Sequence, residues 1–141
     1  MSFVKIYVHT VWTTKDRLPY LSDNHRANVI SHIRDYAKSK GIYIDHINGV
    51  KEHIHSLISM CAEQNIATIM NLLKGESSHW INKQNLIQGK FSWQDEYFAV
   101  SIGESQIDSV RKYIRDQEVH HLKKTFQQEY DEFMSNYGFD E

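Results

Sequence analysis

The sequence has few of the residues that interrupt or cross-link a fold: one proline, six glycines and a single cysteine, Cys61, in 141 residues. Long disordered linkers are therefore not expected, and the length suits one domain spanning residues 1–141. A single cysteine excludes an internal disulfide and is typical of a reducing compartment. No stretch approaches the ~20 apolar residues that cross a bilayer, and no secretory leader follows Met1. We predict a cytoplasmic protein without a membrane segment.

A strong excess of one charge is also missing, because the formal net charge is −2. The charge is unevenly distributed: residues 126–141 contain five acidic residues and no Lys or Arg, so the first 125 residues hold 16 basic and 13 acidic side chains. Short basic groups permit binding to nucleic-acid phosphates without requiring it, and solvated surface side chains are the alternative. The candidate nucleic-acid contacts are Lys15, Arg17, Lys74, Arg111, Lys112 and Arg115.

Hydrophobic periodicity predicts strands alternating with helices. Period-two patterns favour strands at about 3–13, from 42, at 53–60 and at about 97–102. Capping residues favour four helices: one from Ser22 or Asp23 to Gly41, one after Asn65, one from a Ser105/Asp108 capping box to about residue 123, and a short one after a Thr125/Gln128 box. The turn before the third strand is either at Asn48–Gly49 or slightly later, at Lys51–Glu52.

This order of elements predicts an α+β fold of the ferredoxin-like, split β-α-β type. Such a fold is an antiparallel sheet with helices on one face, here followed by C-terminal helices. The core is expected at about 3–123 and an acidic helix at about 125–138. Side chains alternate along a strand, so His53 and His55 should lie opposite the apolar side of the third strand. They are therefore expected on the open face of the sheet.

Four residues form the most informative pattern. His53 and His55 are two apart on a predicted strand and share a face, which is an arrangement suited to two metal ligands. Tyr113 and Gln117 are four apart on a predicted helix and also share a face, which places a hydroxyl nucleophile beside a third possible ligand. Each pair alone is weak evidence, because such residues are more often half-exposed or packed. Together they predict metal-assisted attack on a phosphodiester.

The sequence around these residues resembles the single-tyrosine HUH transposases of insertion sequences of the 200/605 type. His53-Ile54-His55 is similar to their histidine–hydrophobe–histidine motif, and the segment from Tyr113 to Gln117 is similar to their nucleophile helix. Segments 8–15 and 72–78 also resemble the family's first strand and second helix. The resemblance covers about residues 3–121 and assigns no role to the acidic tail.

This resemblance implies a transposase that cleaves and rejoins single-stranded DNA through a 5′-phosphotyrosine on Tyr113. It implies a divalent cation, Mg²⁺ or Mn²⁺, held by His53, His55 and Gln117. The implied substrates are hairpin ends of a mobile element. The implied assembly is a homodimer, in which the tyrosine helix of one subunit completes the histidine site of the other.

Two alternatives remain open from the sequence. One is a non-catalytic, domesticated nucleic-acid-binding module that uses the open sheet face. The other is a small metallohydrolase in which the histidine pair activates water and Tyr113 only packs. Only the transposase predicts a covalent protein–DNA adduct. The acceptor of the tyrosine proton is also open, with Glu52 and Asp116 nearby in sequence.

Overall fold

The computed structural model describes residues 2–119 and 124–138. Its four strands are β1 (Ile6–Thr13), β2 (Tyr43–Gly49), β3 (His53–Met60) and β4 (Phe98–Ile102). They form one antiparallel sheet in the order β2-β3-β1-β4. The two central strands are thus not consecutive in the chain, which is the split β-α-β arrangement. The predicted fold class is confirmed.

Two helices cover one face of this sheet, α1 (Asp23–Ser39) and α2 (Ile66–Lys83). The predicted helix signals act where expected: the Asn65 side chain accepts a hydrogen bond from the Thr68 N–H, and Gly41 takes a positive φ of 70° after α1. Both helices pack on the apolar side of β3, in a core that includes Trp12, Val29, Ile33, Ile54, Ile58, Met70 and Leu73. Among the described residues, no helix is both long enough and apolar enough to cross a bilayer.

The expectation that the opposite face of the sheet is open was wrong. Two further helices, α3 (Ile107–Arg115) and α4 (Phe126–Asn136), lie on that side. The apolar stripe of α3, formed by Ile107, Val110 and Ile114, packs with Leu57 of β3 in a second core. An amphipathic helix of this kind needs an apolar surface to cover, and the unoccupied sheet face provides it.

The prediction of one continuous helix from residue 105 to about 123 was also wrong, because the helix is interrupted. A 3-10 turn over Glu104–Gln106 precedes α3, and no side-chain capping bond is made at its start, so the predicted Ser105/Asp108 box is absent there. The helix ends before Asp116, whose φ and ψ of −95° and 21° leave the helical region. At this break the Asn48 side chain donates to the Arg115 carbonyl at 3.0 Å. Helical residues resume at 117–119, and the predicted end near 123 lies outside the described residues.

The connection between β2 and β3 follows the later of the two predicted turns. Asn48 and Gly49 still pair with β3, and residues 50–52 make the turn. A Cβ at Gly49 would come within 2.4 Å of the His53 carbonyl oxygen, so only glycine allows this close approach. The turn therefore fixes where His53 begins its strand.

Candidate active site

The sheet register brings three histidines to one face. In the pairing of β1 with β3, His9 lies opposite Leu57, Val11 opposite His55, and Thr13 opposite His53. Directly paired residues point to the same side of a sheet, so His9, His53 and His55 share the face covered by α3 and α4. All three are buried, with His53 and His55 at 0% and 1% exposure.

Each of the two predicted ligands has a partner on its Nδ1 atom. His55 Nδ1 lies 3.0 Å from His9 Nε2, and His53 Nδ1 lies 3.0 Å from a carboxylate oxygen of Glu52. A histidine that ligates a metal through Nε2 typically donates its Nδ1–H to such a partner, which fixes the ring and its tautomer. His9 and Glu52 therefore orient the two Nε2 atoms towards a common point.

The residue at that point is Glu129, which projects from α4. One carboxylate oxygen lies 2.8 Å from His55 Nε2, and the other lies 3.5 Å from His53 Nε2. The ligand atoms of His53, His55 and Glu129 all lie within 4.8 Å of one another. Two imidazole nitrogens and one carboxylate oxygen suit a divalent transition ion such as Mn²⁺ better than Mg²⁺, which prefers oxygen ligands. These three side chains could hold a divalent cation.

Tyr113 lies beside this group. Its hydroxyl donates a hydrogen bond to Glu129, and its ring centroid is 5.4 Å from that of His55 in the same chain. The predicted nucleophile and the predicted histidine pair are thus brought together within one chain. Packing of α3 on Leu57 is what holds the tyrosine at this distance.

Gln117, the predicted third ligand, is fully buried next to Tyr113. Its Nε2 donates to the Tyr113 carbonyl at 3.3 Å. Its Oε1 is buried without a hydrogen-bond partner among the described residues. A buried amide oxygen in this condition is costly, which makes it a candidate to bind an added group. Its assignment as a ligand stays a prediction.

Charge in the site is governed by burial and by Glu129. Burial, reinforced by the neighbouring His55, lowers the pKa of His9 to about 3, so this imidazole is neutral. Burial opposes charge on His53 as well, but hydrogen bonds to Glu129 and Glu52 raise its pKa. Burial and the bond to Glu129 together raise the pKa of Tyr113 well above its usual range, so the hydroxyl is protonated in this arrangement.

Glu129 itself is held as a carboxylate. Burial favours its protonated form, but hydrogen bonds to His53 and His55 outweigh burial and lower its pKa below the usual range. An ionised carboxylate with so little contact with water is stable only because it is surrounded by donors. The site therefore already accommodates one anionic group between the histidines and the tyrosine.

The predicted basic residues divide into two sets. Lys15 and Arg115 are exposed, whereas the Lys74 ammonium donates to the carbonyls of Gln94 and Asp95 at 2.6 and 2.7 Å. Partial burial lowers the pKa of Lys74.

The remaining three basic residues are also paired. Arg111 forms a two-pronged ion pair with Asp45, and Lys112 pairs with Asp116. Arg17 stacks on the aromatic rings of α4. Their contacts with nucleic acid stay predictions.

The sequence did not predict a role at the site for His9 or Glu129, and it left the role of Glu52 undecided. A signal for Glu129 does exist, because it interrupts the apolar stripe of α4 between Phe126 and Phe133. An acidic residue on the buried side of an amphipathic helix needs a buried partner. His9 and Glu52 show no comparable local signal, because their roles depend on strand pairing.

Comparisons with known proteins find matches to both the sequence and the fold. The sequence model of the family described as "Transposase IS200 like" matches residues 2–117. The ISDra2 transposase TnpA of Deinococcus radiodurans is 24% identical over 114 residues, which cover 77% of this chain and 81% of that protein.

Two solved structures share the fold. One is described as a transposase from Deinococcus radiodurans R1; its TM-score is 0.68 at 23% identity, covering 82% of this chain and 93% of that one. The other is a REP-associated tyrosine transposase bound to a REP hairpin, with a TM-score of 0.66 at 14% identity, covering 86% and 72% of the two chains. The family match ends at Gln117, so α4 lies beyond it.

Proposed function

The chain belongs to the IS200-like transposase family, and from that premise we propose that it cleaves and rejoins single-stranded DNA through a covalent 5′-phosphotyrosine on Tyr113. The observation that carries this proposal is the convergence of the Tyr113 hydroxyl and the His53/His55 pair on a single buried point. Tyr113 supplies a nucleophile, and the two imidazoles can orient a cation. Membership of a transposase family supports the same chemistry.

In the proposed reaction, the Tyr113 oxygen forms a bond to the phosphorus of the scissile phosphodiester. The bond from phosphorus to the 3′ oxygen breaks, and that oxygen leaves as a 3′ hydroxyl. The covalent link conserves the phosphodiester, so a second 3′ hydroxyl can later displace the tyrosine and rejoin strands. Tyr113 loses its proton in the first step and regains it in the second.

A divalent cation, Mn²⁺ or Mg²⁺, would polarise the scissile phosphate and stabilise the charge that develops on it. His53 and His55 would hold it through Nε2, with Gln117 or Glu129 as third ligand. His9 and Glu52 keep both rings oriented through their Nδ1 partners. Removing Gln117 and Glu129 in turn, and measuring Mn²⁺ affinity by calorimetry, identifies the third ligand without reference to activity.

The proton acceptor for Tyr113 was left open between Glu52 and Asp116. Glu52 hydrogen-bonds to His53, and Asp116 forms an ion pair with Lys112. The carboxylate that accepts the tyrosine hydrogen bond is instead Glu129. A role of Glu52 or Asp116 as proton acceptor stays a prediction.

The substrate class follows from the family and from one relative. The REP-associated tyrosine transposase is bound to a DNA hairpin, and we propose that this chain also recognises hairpin ends of a mobile element. The test is to incubate the protein with single-stranded oligonucleotides carrying the ends of its flanking element and Mn²⁺ or Mg²⁺. A covalent adduct on a denaturing gel is expected; its absence with every end tested would favour the non-catalytic module or the metallohydrolase.

A homodimer with shared active sites stays a prediction. Tyr113 already lies against His55 of its own chain, which supports a site completed within one subunit. Mixing Tyr113→Phe with the His53→Ala/His55→Ala variant decides between the two arrangements. Recovery of cleavage in the mixture shows that subunits share sites, whereas its absence shows that each chain uses its own tyrosine.

A further inference from the structure

The second strand contains a bulge that turns two polar side chains towards α3. In the pairing of β2 with β3, Ile44 lies opposite Ile58. The next paired residue of β2 is His46, opposite Leu57, so Asp45 is inserted between the two pairs. Two residues of a bulged strand then share one position of the partner strand, and the inserted side chain is re-aimed. Asp45 and His46 therefore both lie on the side of Leu57, which is the side that α3 covers.

Asp45 uses this position to bind α3. Its two carboxylate oxygens accept hydrogen bonds from Nε and Nη2 of Arg111 at 2.9 and 2.8 Å. These bonds hold the pKa of the Asp45 carboxyl below its usual range, so the pair is ionised. About one helical turn further along, the Asn48 side chain donates to the Arg115 carbonyl at 3.0 Å. The edge strand β2 thus holds α3 at two points.

These two points lie on either side of Tyr113 in the chain. At about 100° per residue, Arg111 lies on one flank of the apolar stripe of α3 and Tyr113 lies on the other. The first flank faces β2, whereas the second reaches Glu129 and the ring of His55. A rotation of α3 about its own axis would therefore move the Tyr113 hydroxyl across the site.

Apolar packing fixes this rotation only weakly. The stripe of α3 sets how closely the helix lies on the sheet, but apolar burial is not directional. Two parallel bonds between a guanidinium and a carboxylate fix an angle as well as a distance. A rotation of about 10° would displace an atom about 6 Å from the helix axis by about 1 Å. Misplacement by about 1 Å can lower a rate by about 100-fold.

We propose that Asp45, through its two-pronged bond to Arg111, is a positioning residue that sets the rotation of α3 and so aligns the Tyr113 hydroxyl for attack. The proposal rests on the proposed function, because this alignment matters only if Tyr113 attacks a phosphodiester. It also gives the bulge a role at the site, beyond interrupting the edge of the sheet. Because Asp45 acts only through α3, its removal should change the rate of attack and leave DNA binding unchanged.

The test uses the full chain and variants matched in charge. Asp45→Asn breaks the two-pronged pair, whereas Asp108→Asn removes the same charge from another carboxylate that binds Arg111, at 3.0 Å. Asp108 is 95% exposed and belongs to α3 itself, so it cannot hold the helix to the sheet. Arg111→Lys keeps the positive charge but cannot form the fork. Ile33→Val destabilises the core on the other face without contacting α3.

Adduct formation is measured in single turnovers with Mn²⁺ and element ends, over a range of DNA concentrations. We expect Asp45→Asn and Arg111→Lys to lower the maximal rate by at least about 10-fold. The half-saturating DNA concentration should change by less than about 2-fold. The rates of Asp108→Asn and Ile33→Val should stay within about 2-fold of the wild type. The double variant Asp45→Asn/Arg111→Lys should be no slower than the slower single variant, because both changes break one interaction.

A second measurement is independent of activity. Fluorotyrosine in place of Tyr113 gives a fluorine NMR signal that depends on the rings around it. The ring centroids of His55 and His9 lie 5.4 and 6.2 Å from that of Tyr113. Asp45→Asn should shift this signal, and Asp108→Asn should leave it in place.

Equal maximal rates in Asp45→Asn and Asp108→Asn would overturn the positioning role. So would an effect on half-saturation alone, an equal loss of rate in Ile33→Val, or losses that multiply in the double variant. A wild-type protein that forms no adduct with any element end would instead reject the proposed function. The fluorine signal then still decides whether Asp45 places Tyr113: a shift in Asp45→Asn supports the link, and an unchanged signal overturns it.

Discussion

Replacing Tyr113 with phenylalanine separates the chemical role of the hydroxyl from its structural one. The change removes one oxygen and keeps the ring that lies 5.4 Å from His55. That oxygen donates to an ionised carboxylate, and such hydrogen bonds contribute about 1.5–3 kcal/mol. Glu129 keeps its contact with His55, so the loss should fall near the lower end. We expect unfolding free energy to decrease by about 1.5 kcal/mol, more than the ~1 kcal/mol of an ordinary neutral bond.

Stability is measured by urea denaturation, and chemistry by labelling the substrate at its 3′ end. The 5′ phosphate stays on the tyrosine, so the 3′-labelled fragment migrates with the protein on a denaturing gel. Tyr113→Phe should give no such band, because phenylalanine has no oxygen to bond to phosphorus. The control is Tyr43→Phe, which alters an exposed tyrosine on β2. An adduct that survives in Tyr113→Phe would refute the mechanism, and a loss above about 4 kcal/mol would show that the hydroxyl holds the fold itself.

The remaining predictions concern metal, pH and salt. Mn²⁺ at 100 times its Kd should raise the unfolding free energy by about 2.7 kcal/mol. Thermal-shift measurements should show no such stabilisation in the His53→Ala/His55→Ala variant. Stabilisation of that variant by Mn²⁺ would contradict the ligand assignment. The pKa of His9 is about 3 in the folded protein and 6.5 in the unfolded chain, so the folded state binds fewer protons at this residue. As pH falls from 6.5 towards 3, His9 should therefore lower the unfolding free energy by up to about 1.4 kcal/mol for each pH unit. Urea titrations at several pH values should therefore show a shallower acid loss in His9→Gln, and an equal loss would mean that His9 is not held neutral. The affinity for single-stranded DNA should fall with salt, and Lys15→Gln or Arg115→Gln should each reduce the slope of log affinity against log salt concentration by about 0.7. Lys74→Gln should instead lower stability and change this slope little, because the Lys74 ammonium binds two backbone carbonyls.

The sheet and the histidine pair could be predicted because their signals are local. Alternation along β3 places Ile54 and Ile58 on one face and His53 and His55 on the other, whatever the rest of the chain does. The side chain of Asn65 likewise caps its helix through a bond only three residues long. Interactions of this range are encoded in short windows of sequence.

The covering of the histidine face could not be predicted in the same way. Contacts of Glu129 with His53 and His55 join residues more than 70 positions apart, and the ion pair of Arg111 with Asp45 spans 66. Such pairs depend on how helices dock after the sheet has formed, which periodicity does not describe. Because the two histidines are enclosed, alanine at both positions should cost more stability than a substitution at an exposed strand residue would.

One half of the site is held by strand pairing and the other half by side-chain packing of two helices. His53, His55 and His9 are fixed by the paired backbones of β1 and β3, so their ring positions are set by many hydrogen bonds at once. Tyr113 and Glu129 come from helices that rest on the sheet through side-chain packing. A change in the position of Glu129 therefore requires a helix to move, whereas every strand can stay in register. Local opening of these helices should therefore cost less free energy than opening of the paired strands.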